Sequence, residues 1–308
     1  MMRVAIIGAG MSGLACARRL VDAGLSPVVF DKGQGIGGRM ATHRVDGLQF
    51  DHGAQYVTAQ DSGFAAVLRD MQTAGNVGLW DDGSGAQRYV GVPGMSSLAR
   101  ALAVGVDVRQ RAQVTSVRAE AGRWTVQSGD VADSFDRVVL AVPAPQVAGL
   151  LGQDHPVVAK LADVHFAPCL TIMAATSAVP AFVSRRGGDA PLAWIAQDSA
   201  KPGRPQTGAT TWVAQASPVF SAAHLEEDTA TTIARLLPFL CAELGISPGD
   251  TSHASAHRWR YARVTAALGQ PYLSADNALF LGGDWCLGPR VEAAWISGDS
   301  IGKALLTC

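Results

Sequence analysis

The chain has 308 residues, a net charge of −1, 48% apolar and 17% charged residues. That is a globular composition, large enough for about two domains and without the basic stripe that nucleic acid binding requires. No stretch approaches the roughly 20 consecutive apolar residues of a membrane-spanning helix. The five cysteines (Cys16, Cys169, Cys241, Cys286, Cys308) are scattered, with no CxxC or metal-ligand spacing, so neither a disulfide framework nor a metal site is indicated. Reduced thiols in a cytoplasm are the expectation.

Residues 3–7 read as a short buried strand, closed at once by Gly8-Ala9-Gly10-Met11-Ser12-Gly13. Helix formers fill 14–23 and Gly24 stops them; residues 26–30 form a second strand that delivers Asp31. A lone GxGxxG carries little weight, but strand, glycine turn, helix, strand and acid in this order form a dinucleotide fingerprint. Gly8 permits the tight turn, Gly10 lets a pyrophosphate approach where only hydrogen is expected to fit, and Gly13 lets the helix pack on the sheet. The open N–H groups of Met11, Ser12 and Gly13, with the helix dipole, hold the phosphates. Asp31, 23 residues after Gly8, is placed to accept from a ribose with a free 2′-OH. Cleavage of Met1-Met2-Arg3 and the apolar residues after it as a signal peptide would remove this turn, so that reading is rejected.

The segment from Asp31 and Lys32 through Gly37-Gly38-Arg39-Met40 resembles the second flavin signature of the amine-oxidase-like flavoproteins. The resemblance implies FAD rather than NAD, with Gly38, Arg39 and Met40 against its diphosphate; an arginine fork suits that charge on physical grounds as well. Residues 42–50 alternate as a strand or a hairpin, with Asp46-Gly47 as the turn. Asp51-His52-Gly53-Ala54-Gln55-Tyr56 then resembles a segment of the renalase branch, where the backbone passes along the flavin ring. Gly53 and Ala54 are small enough for that passage; Gln55 and Tyr56 are expected to face the substrate cavity, and His52 to be structural.

Residues 61–82 read as a helix and loop outside the nucleotide domain, and 89–102 as the return to it. Short strands follow over 106–110, 113–119, 123–127 and 135–142, the last nearly all apolar as a central parallel strand would be. By resemblance Val114 contacts the adenine end through its backbone. Pro143 and Pro145 mark a boundary. Strands over 164–177, 190–197 and 210–216, and a helix over 226–244 interrupted or kinked at Pro238, form the roof over the flavin. The chain is expected to return at His257, run through a strand ending Gly282-Gly283-Asp284, and close on a helix beginning near Val291-Glu292-Ala293. The resemblance implies that Gly283 and Asp284 reach the ribitol or pyrophosphate. It also aims the helix start at the N1–C2=O edge of the flavin, where negative charge gathers on reduction.

Taken together, the motifs resemble the renalase family over essentially the whole chain. The implied fold class is α/β, a Rossmann-type FAD-binding domain of amine oxidase or p-hydroxybenzoate hydroxylase-like architecture, with an interleaved α+β substrate domain on a mostly antiparallel sheet. The expected boundaries are 1–60, 89–145 and 257–308 for the first domain, 61–88 and 146–256 for the second. The implied activity is oxidation of dihydro-NAD(P) isomers, reduced at C2 or C6, by non-covalent FAD that is reoxidised by O2 to hydrogen peroxide. Such hydride transfer needs no acid–base dyad. Residues 168–173 lack the lysine that amine oxidases carry on the first strand of the substrate domain, and no cysteine falls in their covalent attachment segment. Cavity candidates are Gln55, Tyr56, Trp212 and Trp259; His165, His253 and His257 lack a clear carboxylate partner. The rival readings are an amine oxidase on the same fold and a flavin-binding protein without catalysis.

Overall fold

The structure is a computed structural model describing residues 2–177, 182–187 and 191–307. Strand β1 (Val4–Ile7) feeds through the glycine turn into α1 (Met11–Asp22), and β2 (Val28–Phe30) returns parallel to β1. All four β1 residues are buried, as expected of a strand covered on both faces. The hairpin β3 (Thr42–Val45) and β4 (Leu48–Asp51) turns at Asp46-Gly47, both at positive φ, the geometry of a tight two-residue turn. Helix α2 (Ser62–Thr73) starts at Asp61, whose carboxylate accepts from the Phe64 N–H. The antiparallel pair β5 (Val77–Leu79) and β6 (Tyr89–Gly91) follows.

Helix α3 (Ser96–Leu102) leads to β7 (Asp107–Arg109), and then to a three-stranded antiparallel layer, β8 (Val114–Glu120), β9 (Arg123–Ser128) and β10 (Val131–Phe135). β10 was not legible in the sequence: its first four residues are exposed or half-buried, and it is held by pairing with β9 rather than by an apolar face. β11 (Arg137–Leu140), α4 (Val147–Leu151) and α5 (Pro156–Ala159) lead out of this domain.

The second domain holds β12 (His165–Thr176), β13 (Ser184–Arg186), β14 (Leu192–Gln197), β15 (Thr210–Ala216), α6 (Pro218–Ala223), α7 (Thr229–Leu244) and β16 (Thr251–Ala266). The chain closes with β17 (Leu273–Ala275), β18 (Leu279–Leu281) and α8 (Val291–Thr307). The two main sheets run β17-β18-β11-β1-β2-β7, parallel but for the β17 edge, and β13-β14-β15-β12-β16, antiparallel throughout. Among the described residues no helix is long and apolar enough to cross a membrane. Ala190, where one strand was expected to begin, lies outside the described residues, as does Cys308.

Three expectations change. The boundary at residue 257 falls inside β16, which pairs with β12 from Thr251 to Ala266; main-chain bonding keeps that whole strand in the second sheet. Helix α7 continues through Pro238: the missing N–H costs one bond at an exposed position, while Leu236, Leu240 and Leu244 stay buried against the sheet. Trp212 is no cavity residue. It is 0% exposed, in the cluster of Leu170, Ile172, Leu236 and Leu240 between α7 and the sheet, because its place in β15 turns it toward the helix. Trp212→Ala is expected to cost about 3–5 kcal/mol in urea unfolding, with KM unchanged in the folded fraction; a shifted KM would return Trp212 to the cavity.

Candidate functional site

The glycine turn is built to meet an anion. Helix α1 is capped by Gly10 with no side chain on its first N–H groups, so these are left to a ligand. A Cβ at Gly13 would lie 2.0 Å from the Gly8 carbonyl oxygen, so only hydrogen fits inside the turn. A Cβ at Gly10, by contrast, meets nothing within 4 Å, and its φ of −79° suits any residue. The fold itself leaves room at Gly10; crowding there arises only when a ligand fills the space. The Ser12 hydroxyl, buried in the first turn of α1, has no partner among the described residues. Asp31 accepts from the Ala9 N–H at 2.7 Å and the Gly33 N–H at 2.7 Å, which leaves lone pairs free on both carboxylate oxygens. The first and second motifs also touch: Gly37 N–H donates to the Ala9 carbonyl at 2.8 Å, and Gly10 bridges Gly37. An open cradle, an unpartnered hydroxyl and uncapped N–H groups fit the diphosphate of FAD.

Other expected contacts take a different form. Arg39 and Asp284, both assigned to the cofactor, grip each other in a two-pronged pair at 2.8 and 2.6 Å, joining the second motif to the third. Glu292 begins α8, but its buried carboxylate accepts from the Gln60 and Asp61 N–H groups at 2.5 and 2.7 Å. What remains for a ligand at Val291, Glu292 and Ala293 is backbone N–H. Met11 and Met40 put their side chains in the core, Val114 is buried at the start of β8, and Lys32 is exposed. Gly283 is tied to α8 through the Ser297 hydroxyl at 3.0 Å.

Residues 51–56 form a strap between the two domains. A Cβ at Gly53 would lie 2.0 Å from the Arg39 carbonyl oxygen, and Ala54 N–H donates to that same oxygen at 2.8 Å. Gly53 is therefore demanded by the protein's own backbone. Above the strap, cross-strand partners Arg186, Trp194, Gln215, Thr171 and His257 form one row on one face of the five-stranded sheet, about 19 Å across at strand spacing. The strap follows this row. His52 lies 4.5 Å from the His257 ring, the Gly53 carbonyl accepts from Gln215 at 2.7 Å, and the Tyr56 hydroxyl accepts from Arg186 at 2.8 Å.

Gln55 is turned inward, against expectation. It is 5% exposed, donates to the Asp51 and Gly53 carbonyls at 2.5 and 3.0 Å, and accepts from Lys201 at 3.2 Å. Closing the strap on itself satisfies both ends of its amide. Tyr56 is half-buried beside Trp194, with the Arg88 guanidinium 3.9 Å from its ring centroid. Trp259 stacks on His52 and donates to the His52 carbonyl at 2.9 Å.

Beneath the strap sits a group of charges that the sequence concealed. Asp51, Asp198, Lys201 and Arg204 have side chains at most 1% exposed. Lys201 lies 2.7 Å from Asp198 and 3.7 Å from Asp51, and Arg204 donates to Asp51. Burial would raise the pKa of Asp51, but Lys201 and Arg204, with the Met95 N–H and Thr42 hydroxyl, hold it below the usual carboxylate range. Burial pushes Asp198 up. Asp51 opens the segment that runs to Tyr56, but no motif marks Asp198, Lys201 or Arg204.

His43, His52 and His257 all have lowered pKa values, first through burial and then through the like charge each would feel from a neighbouring histidine. His52 falls to about 3 and keeps a buried Nδ1 with no partner among the described residues. Such groups stay neutral when folded, while the unfolded chain protonates near 6.5, so it binds more protons below that pH. Stability is thus expected to fall as pH drops from about 7.5 to 5, and His52→Phe to flatten that dependence in urea midpoints; an unaltered slope would refute the assignment. At the glycine turn, Gly10→Val is expected to lose about 1 kcal/mol of stability but all bound flavin, whereas Gly13→Ala fails to fold. The visible spectrum and circular dichroism of the purified variants check both, and a fully flavin-loaded Gly10→Val protein would reject the cradle.

Comparison with known proteins agrees with this geometry. Residues 6–71 match the NAD(P)-binding Rossmann-like domain family, and residues 64–302 match the flavin containing amine oxidoreductase family. Among curated proteins, the 4,4'-diapophytoene desaturase (4,4'-diaponeurosporene-forming) of Staphylococcus aureus strain Newman is 40% identical over 73 residues, 24% of this chain. That of Staphylococcus haemolyticus is 42% identical over 60 residues, 20% of this chain. The matches span only 14% and 12% of those relatives' own lengths. Among solved structures, a candidate protoporphyrinogen oxidase from Exiguobacterium sp. 255-15 superposes over 98% of both chains with a TM-score of 0.79 at 14% identity. Putrescine oxidase bound to putrescine superposes over 100% of this chain and 99% of its own, with a TM-score of 0.69 at 15% identity. At those identities the likeness speaks for the fold alone; the family match covers most of the chain, and the chain belongs to the flavin-containing amine oxidoreductases.

Proposed function

We propose that this flavin-dependent oxidoreductase oxidises dihydro-NAD(P) isomers reduced at nicotinamide C2 or C6, the activity that its resemblance to the renalases implies. The observation that carries this reading is the chemistry of the roof. Between Arg186 and His257 the row over the strap offers an indole, an amide and a hydroxyl (Trp194, Gln215 and Thr171), none of them a base for a proton on carbon, and the His257 ring is packed against His52 and Trp259. β12 carries no lysine. Lys201, which reaches Gln55 of the strap, is already engaged by two carboxylates. His52 is neutral and stacked on Trp259.

A dihydronicotinamide needs no such base. The electron pair of its C–H bond leaves with the hydrogen, and the ring that stays behind is the aromatic cation of NAD(P)+. When bound, FAD supplies the chemistry, accepting the hydride at N5 and passing two electrons to O2 to give hydrogen peroxide. The α1 N-terminus and Asp31 would hold its dinucleotide end, and the first N–H groups of α8 would provide a positive dipole for charge that develops on reduction. The second domain covers the strap through the Gln215–Gly53 and Arg186–Tyr56 bonds.

Non-covalent attachment is supported by the state of the thiols. Cys286, next to the Gly283-Asp284 motif, is fully buried, and burial pushes it up to about 12, so it is not a nucleophile. Cys16, Cys169 and Cys241 are also free, which supports a reducing, cytoplasmic setting.

A second reading, oxidation of an amine C–N bond, is favoured by the family itself. Anaerobic titration of the purified holoenzyme separates the two. Bleaching of the flavin by a 2- or 6-dihydronicotinamide isomer, and not by putrescine or other amines, is the expected result. Bleaching by amines alone, or by nothing, overturns the reading.

A further inference from the structure

The row above the strap ends at an arginine whose charge is not balanced by any carboxylate among the described residues. Its neighbour Arg185 faces the other side of β13 and pairs with Glu243 at 2.7 Å. Arg88 pairs with Asp82 at 2.5 Å. Arg186 instead donates to the Tyr56 hydroxyl at 2.8 Å and holds its guanidinium 5.0 Å from the centroid of Trp194. The Tyr56 oxygen accepts in that bond, so its proton is left to donate. The indole N–H of Trp194, itself 7% exposed, finds no acceptor among the described residues. Among the described residues Asp82 is the one acid that reaches this corner, receiving the Ser184 hydroxyl at 3.4 Å, and its charge is matched by Arg88.

Among the described residues the corner therefore has donors in excess, one positive charge in excess, and two aromatic rings. A protonated amine is the wrong ligand for it; an anion with several oxygens is the right one, since a guanidinium is made for paired phosphate oxygens. We propose that Arg186, the Tyr56 hydroxyl and the Trp194 indole N–H form a phosphate clamp that holds the diphosphate of the dinucleotide substrate, at the β13 end of the strap. This rests on the dihydro-NAD(P) reading above. It assigns substrate recognition to an exposed edge-strand residue outside every cofactor motif, with the Tyr56 hydroxyl as a second donor.

The test uses the holoenzyme and ADP-ribose, which carries the diphosphate without the nicotinamide. Binding is followed by tryptophan fluorescence, and FAD retention by the visible spectrum. The wild-type protein should bind ADP-ribose with an affinity that falls as salt rises. R186Q should weaken binding about tenfold or more, R186K less, and R185Q not at all, each keeping the wild-type Tm. Absence of ADP-ribose binding to the wild type, or equal binding by R186Q, overturns the clamp. The two proposals fail separately. If the isomers bleach the flavin with the same KM in R186Q, the clamp falls and the substrate reading stands. If ADP-ribose binds through Arg186 while no isomer bleaches the flavin, the substrate reading falls and the diphosphate site stands.

Discussion

The fold depends on one close approach. Gly53 lies so near the Arg39 carbonyl that no side chain could be added, and Ala54 N–H bonds that same oxygen. This contact fixes the strap to the Gly-Gly-Arg loop, which the Gly37–Ala9 bond in turn fixes to the nucleotide turn. Arg39 continues the chain of contacts to Asp284 and so to the foot of α8. Four segments far apart in sequence thus meet through backbone contacts and one two-pronged ion pair, which leave little freedom to slide.

From the other side the strap is held by the second sheet and by the buried charges. Taking four charges out of water is costly, and such a group persists only when the signs cancel and the remaining lone pairs and protons find partners. Asp51 meets that condition with Arg204, Thr42 and Met95; Lys201 does so with Asp198 and Gln55. A group of this kind serves geometry more than net stability. It joins the end of β4 to the connection between β14 and β15, and so sets the height of the roof above the strap. The same demand for full pairing removes Lys201 from the chemistry.

Legibility followed the range of the forces involved. The strand–turn–helix opening, the hairpin at Asp46-Gly47, the strand over 210–216 and the closing helix rest on local backbone geometry and apolar periodicity, which neighbours in sequence express. Pro238 does not interrupt α7, because the buried leucine stripe of that helix outweighs one lost bond. Trp212 and Gln55 did mislead. Composition places a residue near a cavity, but the parity of a strand and the partners of an amide decide which way it faces.

By itself, the sequence determined that a dinucleotide turn opens the chain, that a Gly-Gly-Arg loop follows it, and that a Gly-Asp strand and helix close it. Those are properties of short segments, set by glycine conformations, helix ends and apolar runs. Only the tertiary structure decided that Arg39 reaches Asp284, that Asp51, Asp198, Lys201 and Arg204 share one dry site, and that Arg186 stands at the end of a row reaching His257. Each of these joins residues brought together by sheet register and domain packing, and a pairing between distant charges leaves no periodicity in the chain to read.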